Sequence, residues 1–410
     1  MGSTERISNV AKRIGKWVKA GHKVVVVPSA MSGETNRLLG LVAELAPEVS
    51  TPSILRETDA IAATGEQVSV GLLSIALQAI GVPAVSYAGW QVPVKTDNAF
   101  GRARIVTIEP EKVMKDLDAE KVVIITGFQG IDEDKNVTTL GRGGSDTSAI
   151  AVAAALKADE CLIFTDVDGV YTTDPRIVPE AKRLPAIEFE EILEMASMGS
   201  KILQIRAVEF AGRCKVPTRV LSSFTPWDID IDEEAQSGTL ITFEEDEKMM
   251  EKPLVSGIAF SRNEAKISVL NIPDRPGVAY QILGAVADAN IEVDVIIQNI
   301  SKDGFTDLSF TVPLTDYART MELLKEKIVP HFGDKITLEG DEKICKVSAI
   351  GIGMRTHVGV ASTMFRALSE EGINIQMIST SEIKISVVLE EKYMELAVRA
   401  LHKAFNLDGE

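Results

Sequence analysis

The chain is short of cysteine, histidine and positive charge, and each deficit narrows its function. Its three cysteines, Cys161, Cys214 and Cys345, lie far apart with no CxxC spacing. That argues against a disulfide framework or a thiolate zinc site and fits a reducing cytosol. The four histidines (His22, His331, His357 and His402) are scattered and complete no Ser-His-Asp arrangement. Lys plus Arg is 43 against 60 Asp plus Glu, a net charge of −17, whereas a general nucleic-acid binder needs a basic footprint. No uninterrupted apolar run reaches the roughly 18 to 20 residues of a membrane span, and the N-terminus has no signal-peptide pattern. The sequence therefore predicts a soluble cytoplasmic protein with no nucleic-acid or membrane partner. It also lacks a Walker A pattern and the protein-kinase motif set.

What is present is ordinary for a globular protein: 45% hydrophobic and 25% charged residues over 410 positions, enough for two or three domains. Ile7, Val10, Ala11, Ile14, Trp17 and Val18 recur at helical spacing within 3–20. The apolar runs Val24–Val27, Val122–Thr126 and Leu162–Thr165 suit strands buried on both faces. Helical patterns at 34–46, 58–80 and 145–157 separate them. Alternating strand and helix predicts an α/β domain with a mainly parallel sheet, ending near Thr242. The charged stretch Glu244–Lys252, closed by Pro253, reads as a linker. Beyond it lies an internal repeat. Ile267–Ile272 precedes Gly277-Val278-Ala279, and Val347–Ile352 precedes Gly359-Val360-Ala361. Each is followed by a helical pattern, then Asn290-Ile291 or Gly372-Ile373, then a β-rich run. Two ferredoxin-like βαββαβ units of roughly 70 residues fit this order. The predicted layout is 1–243, a linker with a shared strand at 244–262, and repeats at 263–338 and 339–410.

Five stretches carry side chains suited to chemistry. Leu140-Gly-Arg-Gly-Gly-Ser-Asp-Thr-Ser148 is a glycine-rich loop opening a helix, with Ser145 or Asp146 as candidate cap. Free amides and the helix dipole make such a terminus an anion site, and Arg142 adds a fork for carboxylate or phosphate. Thr165-Asp-Val-Asp-Gly-Val-Tyr-Thr-Thr-Asp-Pro-Arg176 follows a strand directly, where parallel sheets bind ligands. Its aspartates loosely resemble a calcium loop but lack the Glu at the twelfth position, so no protein-held metal is predicted. Val27–Asn36 brings Ser29, Thr35 and Asn36 to a helix start. Thr64-Gly-Glu-Gln67 sets Glu66 in an apolar helical region, where a buried carboxylate needs a cationic partner. Lys201, after Gly199 and Ser200, offers a point charge for phosphates. A capped helix, a surface turn or a surface Glu would explain each stretch singly. Together they suit phosphoryl transfer, where catalysis is mostly positioning and charge stabilisation.

The stretches VVVVPSAMSGETN, TGEQVSV, GFQGIDEDKNVTTLGRGGSDTSA, TDVDGVYTTDPR and GSKILQIRAVEFA, in this order, resemble the aspartate kinases (aspartokinases) of the single-function α/β-subunit type. The repeat resembles a pair of ACT domains. The resemblance implies an amino-acid-kinase fold and transfer from ATP, with Mg²⁺ held mainly by the nucleotide, to L-aspartate. The product is 4-phospho-L-aspartate, at the first step toward lysine, methionine, threonine and isoleucine. It implies that Arg142 clamps the α-carboxylate of aspartate and Glu66 its α-ammonium. Thr35 and Ser145 would help place the side-chain carboxylate, and Ser29, Gly143 and Gly144 would also contact the substrate. Thr165, Asp166, Tyr171, Arg176, Ser200 and Lys201 would contact ATP, and Asp146, Arg142 and Lys201 would organise the transferring group.

It further implies an effector site for lysine and/or threonine. Asp274, Gly277, Val278, Ala279, Asp294 and Gln298 would face Asn374, Ile375, Thr380, Ser381 and Glu382 of another subunit, in a homodimer or α2β2 assembly. Leu254–Phe260 would complete the second ACT unit, and Met249 or Met250 could open a separate small subunit. Family members begin with a strand ending in Lys-Phe/Tyr-Gly-Gly-Thr/Ser-Ser, which does not occur ahead of the first predicted helix. On that ground the chain as given is expected to have little kinase activity, restored by upstream residues. An acetylglutamate or glutamate kinase, and a non-catalytic amino-acid sensor, are the competing readings.

Overall fold

A computed structural model of the chain describes residues 1–47, 51–198, 203–243, 254–300, 304–333 and 336–408. Ser200, Lys201, Met249, Met250 and the whole of 244–253 lie outside them. The chain forms two units. One comprises Met1–Val170, Arg183–Ala196 and Lys201–Asp246; the other comprises Tyr171–Lys182, Ser197–Ser200 and Glu247–Glu410, counting the described residues of each.

In the first unit, strands Val25–Val26 and Ala84–Tyr87 flank Val122–Ile125, all parallel. Every residue of Val122–Ile125 is buried, which is why this run shows no alternation of polar and apolar side chains. A second sheet pairs Cys161–Thr165 in parallel with Thr218–Ser222, then antiparallel Thr239–Thr242, then Ala186–Glu188. A small third sheet orders Ile105–Ile108, Val94–Thr96, Gln129–Ile131 and Val137–Thr139. Helix Thr4–Lys19 lays Ile7, Ala11 and Ile14 against Val70, Leu73 and Leu77 of helix Thr64–Ala79. Ser3 caps the first of these, its hydroxyl accepting from the Arg6 amide.

Helices Pro52–Ala62 and Thr64–Ala79 follow one another, and Pro52–Ala79 is long and apolar enough to cross a membrane by length and composition alone. It carries the buried carboxylates Asp59 and Glu66, and half of its most apolar stretch is buried inside the protein.

The second unit holds both repeats. Glu264–Pro273, Val278–Asp288, Ile296–Ile300, Phe305–Pro313, Tyr317–Lys327 and Thr337–Asp341 follow the order βαββαβ. Their four strands form one antiparallel sheet. The second repeat runs Ile344–Ile350, Val360–Glu370, Met377–Thr380, Lys384–Glu390 and Met394–Ala404. Its fourth strand, Gly257–Ser261, precedes the first repeat in sequence and pairs antiparallel with Ile344–Ile350. A small apolar cluster of Val295, Ile344, Met377 and Val388 joins the two repeats. Beside it the buried Lys346 ammonium reaches Glu264 Oε1 at 2.6 Å and also the Asp294 carboxylate. Burial opposes the Lys346 charge, but the two carboxylates outweigh it and hold its pKa above the ordinary lysine value.

Candidate active site

The first unit gathers its chemistry at the carboxyl ends of its parallel strands. After Val25–Val26 the chain turns through Pro28, Ser29 and Ala30. The Pro28 carbonyl accepts from the Gly127 amide at 3.4 Å, and the Ala30 amide donates to Glu66 Oε1 at 3.0 Å. Ser29 therefore sits between Glu66 and Gly127. Gly127 in turn lies against Ser145: a Cβ there would fall 2.9 Å from Ser145 Oγ and 3.1 Å from its Cα. Only glycine permits this approach, which brings the 27–36 and 140–148 motifs and Glu66 into one neighbourhood.

Glu66 is 3% exposed. One oxygen is held by Ala30, while Oε2 is buried without a protein partner. Burial lifts its pKa to about 7, only partly offset by backbone amides. Such a group is costly to ionise unless a cation arrives. Half-buried Asp146 is lifted by burial to about 6. Arg142 and Ser29 are exposed, and Thr35 and Ser145 are half-buried.

The capping differs from the sequence expectation. Neither Ser145 nor Asp146 caps helix Gly144–Leu156, and no Ser or Thr caps helix Glu34–Leu45. The caps are Gly143 and Gly33, both left-handed (φ 66° and 79°), with no side-chain hydrogen bond. Glycine enters that conformation without a Cβ penalty. It also leaves the leading amides of each helix without a competing side chain, a better arrangement for an anionic ligand than a Ser or Asp cap.

Two supporting residues were not singled out from sequence. Asp59 is buried and accepts from the Gly101 amide (2.9 Å), the Thr139 amide (2.8 Å) and Thr139 Oγ1 (2.7 Å). It thus holds the strand that feeds the glycine-rich loop. Arg206 donates to the Leu140 carbonyl at 2.6 Å, pinning the first residue of that loop. The seven-residue spacing of Asp59 and Glu66, which repeats one helix face, was the available signal for Asp59.

The candidate nucleotide residues divide. Thr165 ends strand Cys161–Thr165, and its hydroxyl donates to Asp166 Oδ1 at 3.1 Å. Tyr171 and Arg176 belong to the second unit, where Arg176 makes a bidentate pair with Asp174 (2.6 and 3.0 Å). Among the effector candidates, Asp274, Gly277, Asp294, Gln298, Asn374, Thr380, Ser381 and Glu382 are exposed; Ala279 and Ile375 are half-buried and Val278 is buried. Asp294 is already paired with Lys346. Among the described residues no cluster of three or more His, Cys, Asp or Glu side chains is arranged to hold a metal ion.

Comparison with known proteins adds to this geometry. Residues 1–222 match the amino acid kinase family, and residues 267–328 and 347–405 each match an ACT domain. An aspartokinase of Pseudomonas aeruginosa is 57% identical over 409 residues, covering 100% of this chain and 96% of that protein. The structure of Escherichia coli aspartokinase III with aspartate and ADP is 27% identical, with a TM-score of 0.74 over 98% of this chain and 96% of that one. The same enzyme with lysine and aspartate is 26% identical, with a TM-score of 0.69 and 96% coverage of both chains.

Proposed function

The chain belongs to the amino acid kinase family as an aspartokinase, an aspartate kinase bearing two regulatory ACT domains, and from that premise we propose how its residues divide the work. Glu66 holds the α-ammonium of L-aspartate and Arg142 its α-carboxylate. Opposite charges at the two ends of a zwitterion fix its orientation, and Thr35, Ser145, Ser29 and the Gly143–Gly144 backbone receive the side-chain carboxylate. Thr165, Asp166, Tyr171, Arg176, Ser200 and Lys201 contact the nucleotide, which brings Mg²⁺ with it. Asp146 and Lys201 balance charge around the transferring phosphoryl group. The observation that carries this reading is Glu66: a buried carboxylate anchored by one oxygen, with the other unpartnered.

The effector reading draws on a lysine complex of the E. coli relative. We propose that lysine and/or threonine bind at Asp274, Gly277–Ala279, Asp294 and Gln298, opposite Asn374, Ile375 and Thr380–Glu382 of a partner chain. The assembly is a homodimer or α2β2 in the cytoplasm, and effectors act by shifting a two-state equilibrium.

Calorimetric titration of Arg142→Ala with L-aspartate and, separately, with MgADP tests the substrate assignment. Aspartate binding should weaken about tenfold to a hundredfold, as expected for a lost charge-assisted pair, while MgADP binding is unchanged. Unchanged aspartate affinity would remove Arg142 from the site.

A further inference from the structure

Tyr171–Lys182 lies in the middle of the kinase sequence, yet it packs as part of the second unit. Its neck is Thr172, which is buried and uses every polar atom. The Thr172 amide donates to the Lys182 carbonyl at 2.9 Å, and its carbonyl accepts from the Ile258 amide at 2.7 Å. Its hydroxyl accepts from the Lys182 amide at 3.0 Å and shares a 2.9 Å hydrogen bond with His402 Nε2. His402 is 2% exposed and sits on helix Met394–Ala404, the last helix of the second ACT repeat. Farther along the segment, Val178 enters the hydrophobic core of that repeat with Val255, Ile258, Val398 and Leu401.

From this geometry we propose that His402 is a positioning residue for the nucleotide: through Thr172 it fixes the segment that carries Tyr171 and Arg176. The neck is closed on three sides, by its own residue Lys182, by strand Gly257–Ser261 and by His402. The backbone bonds set its path, and the His402 ring adds a side-chain hydrogen bond from the ACT helix to Thr172 itself. Without that bond Thr172 keeps its fold-defining contacts and loses one restraint. Tyr171, the adjacent residue, then samples more conformations, and ordering them is charged against nucleotide binding. Aspartate, held by first-unit residues, is not affected. The inference rests on the reading of Tyr171 and Arg176 as nucleotide contacts.

The test compares His402→Leu, His402→Gln, Thr172→Val, Tyr171→Ala and Arg176→Ala by titration with MgADP and with L-aspartate. Gln presents an amide near the position of Nε2; Thr172→Val removes the hydroxyl from the other side. The expected result is a loss of about three- to tenfold in MgADP affinity for His402→Leu and Thr172→Val, the scale of one net hydrogen bond. Aspartate affinity should stay parental, and His402→Gln should recover most of the loss. Parental MgADP binding in His402→Leu, with weakened binding in Tyr171→Ala or Arg176→Ala, overturns the proposal and leaves the nucleotide reading standing. No change in any of the five overturns both. Equal loss of both ligands in His402→Leu and Thr172→Val, without recovery in His402→Gln, would assign His402 a structural role only and also overturns the proposal.

Discussion

Aspartate affinity should follow the ionisation of Glu66. Only the carboxylate form attracts an ammonium, and burial holds that carboxyl at about 7. The carboxylates of the ligand stay ionised above about pH 5, so they do not titrate in the same window. Below pH 7, binding must expel a proton from Glu66. Affinity should therefore be about tenfold weaker at pH 6 than at pH 8, equivalent to about 1.4 kcal/mol, with close to one proton released at pH 6. Calorimetry in two buffers of different ionisation enthalpy reads both quantities. Glu66→Gln retains an acceptor for the Ala30 amide but has no charge to offer. It should bind about tenfold to a hundredfold more weakly at pH 8 and show a flat profile between pH 6 and 8. The ligand-free protein carries the opposite consequence. The folded pKa of Glu66 lies above its ordinary 4.5, so the native state binds the extra proton between about 4.5 and 7. That stabilisation is complete at low pH and is lost as pH rises through 7, at a cost of about 3 kcal/mol. Glu66→Gln should gain stability relative to the parent across that interval. An aspartate affinity that is flat from pH 6 to 8 in the parent, or a tenfold slope that persists in Glu66→Gln, would refute the assignment of Glu66.

Two further perturbations separate support from chemistry. Asp59→Ala strips the acceptors from the Gly101 amide and from Thr139, and should cost about 2 to 4 kcal/mol in denaturant unfolding while weakening aspartate binding. A variant with parental stability would show that Asp59 does not hold the loop. Lys346→Met leaves Glu264 buried without its partner and should cost about 3 kcal/mol, most of it recovered when Glu264 is also replaced by Met. Failure of the second substitution to recover stability would mean that packing, not the buried charge, dominates there.

The helices of the kinase half were legible because their apolar spacing is local. Ile7, Ala11 and Ile14 announce a buried face without reference to anything else in the chain. The continuous run Val122–Ile125 likewise announces a strand covered on both sides. Glu66 was legible as a carboxylate in an apolar setting. The helix caps were not, because Ser145 and Asp146 are good caps by propensity, whereas the left-handed Gly143 takes the cap two residues before Ser145 and Gly33 takes it ahead of Glu34. Asp59 and Arg206 escaped notice because their partners, Thr139 and Leu140, lie 80 and 66 residues away in sequence. Local patterning carries no record of such pairings. The placement of Tyr171–Lys182 was hidden for the same reason: Val178 meets Val398 and Leu401 only in three dimensions.

That placement also bears on how such a protein can be taken apart. A cut at the charged linker looks natural, since it separates the match to the kinase family from the two ACT matches. The kinase half so released would still carry Ile177 and Val178, an apolar hook whose socket is lined by Ile258 and Leu401 on the other side of the cut. The ACT half would be left with an empty socket. The regulatory pair is thus not a cassette. Exchanging it for another requires the donor helix and strand to receive the same hook, so residues 171–182 and the chain's last helix have to be exchanged together.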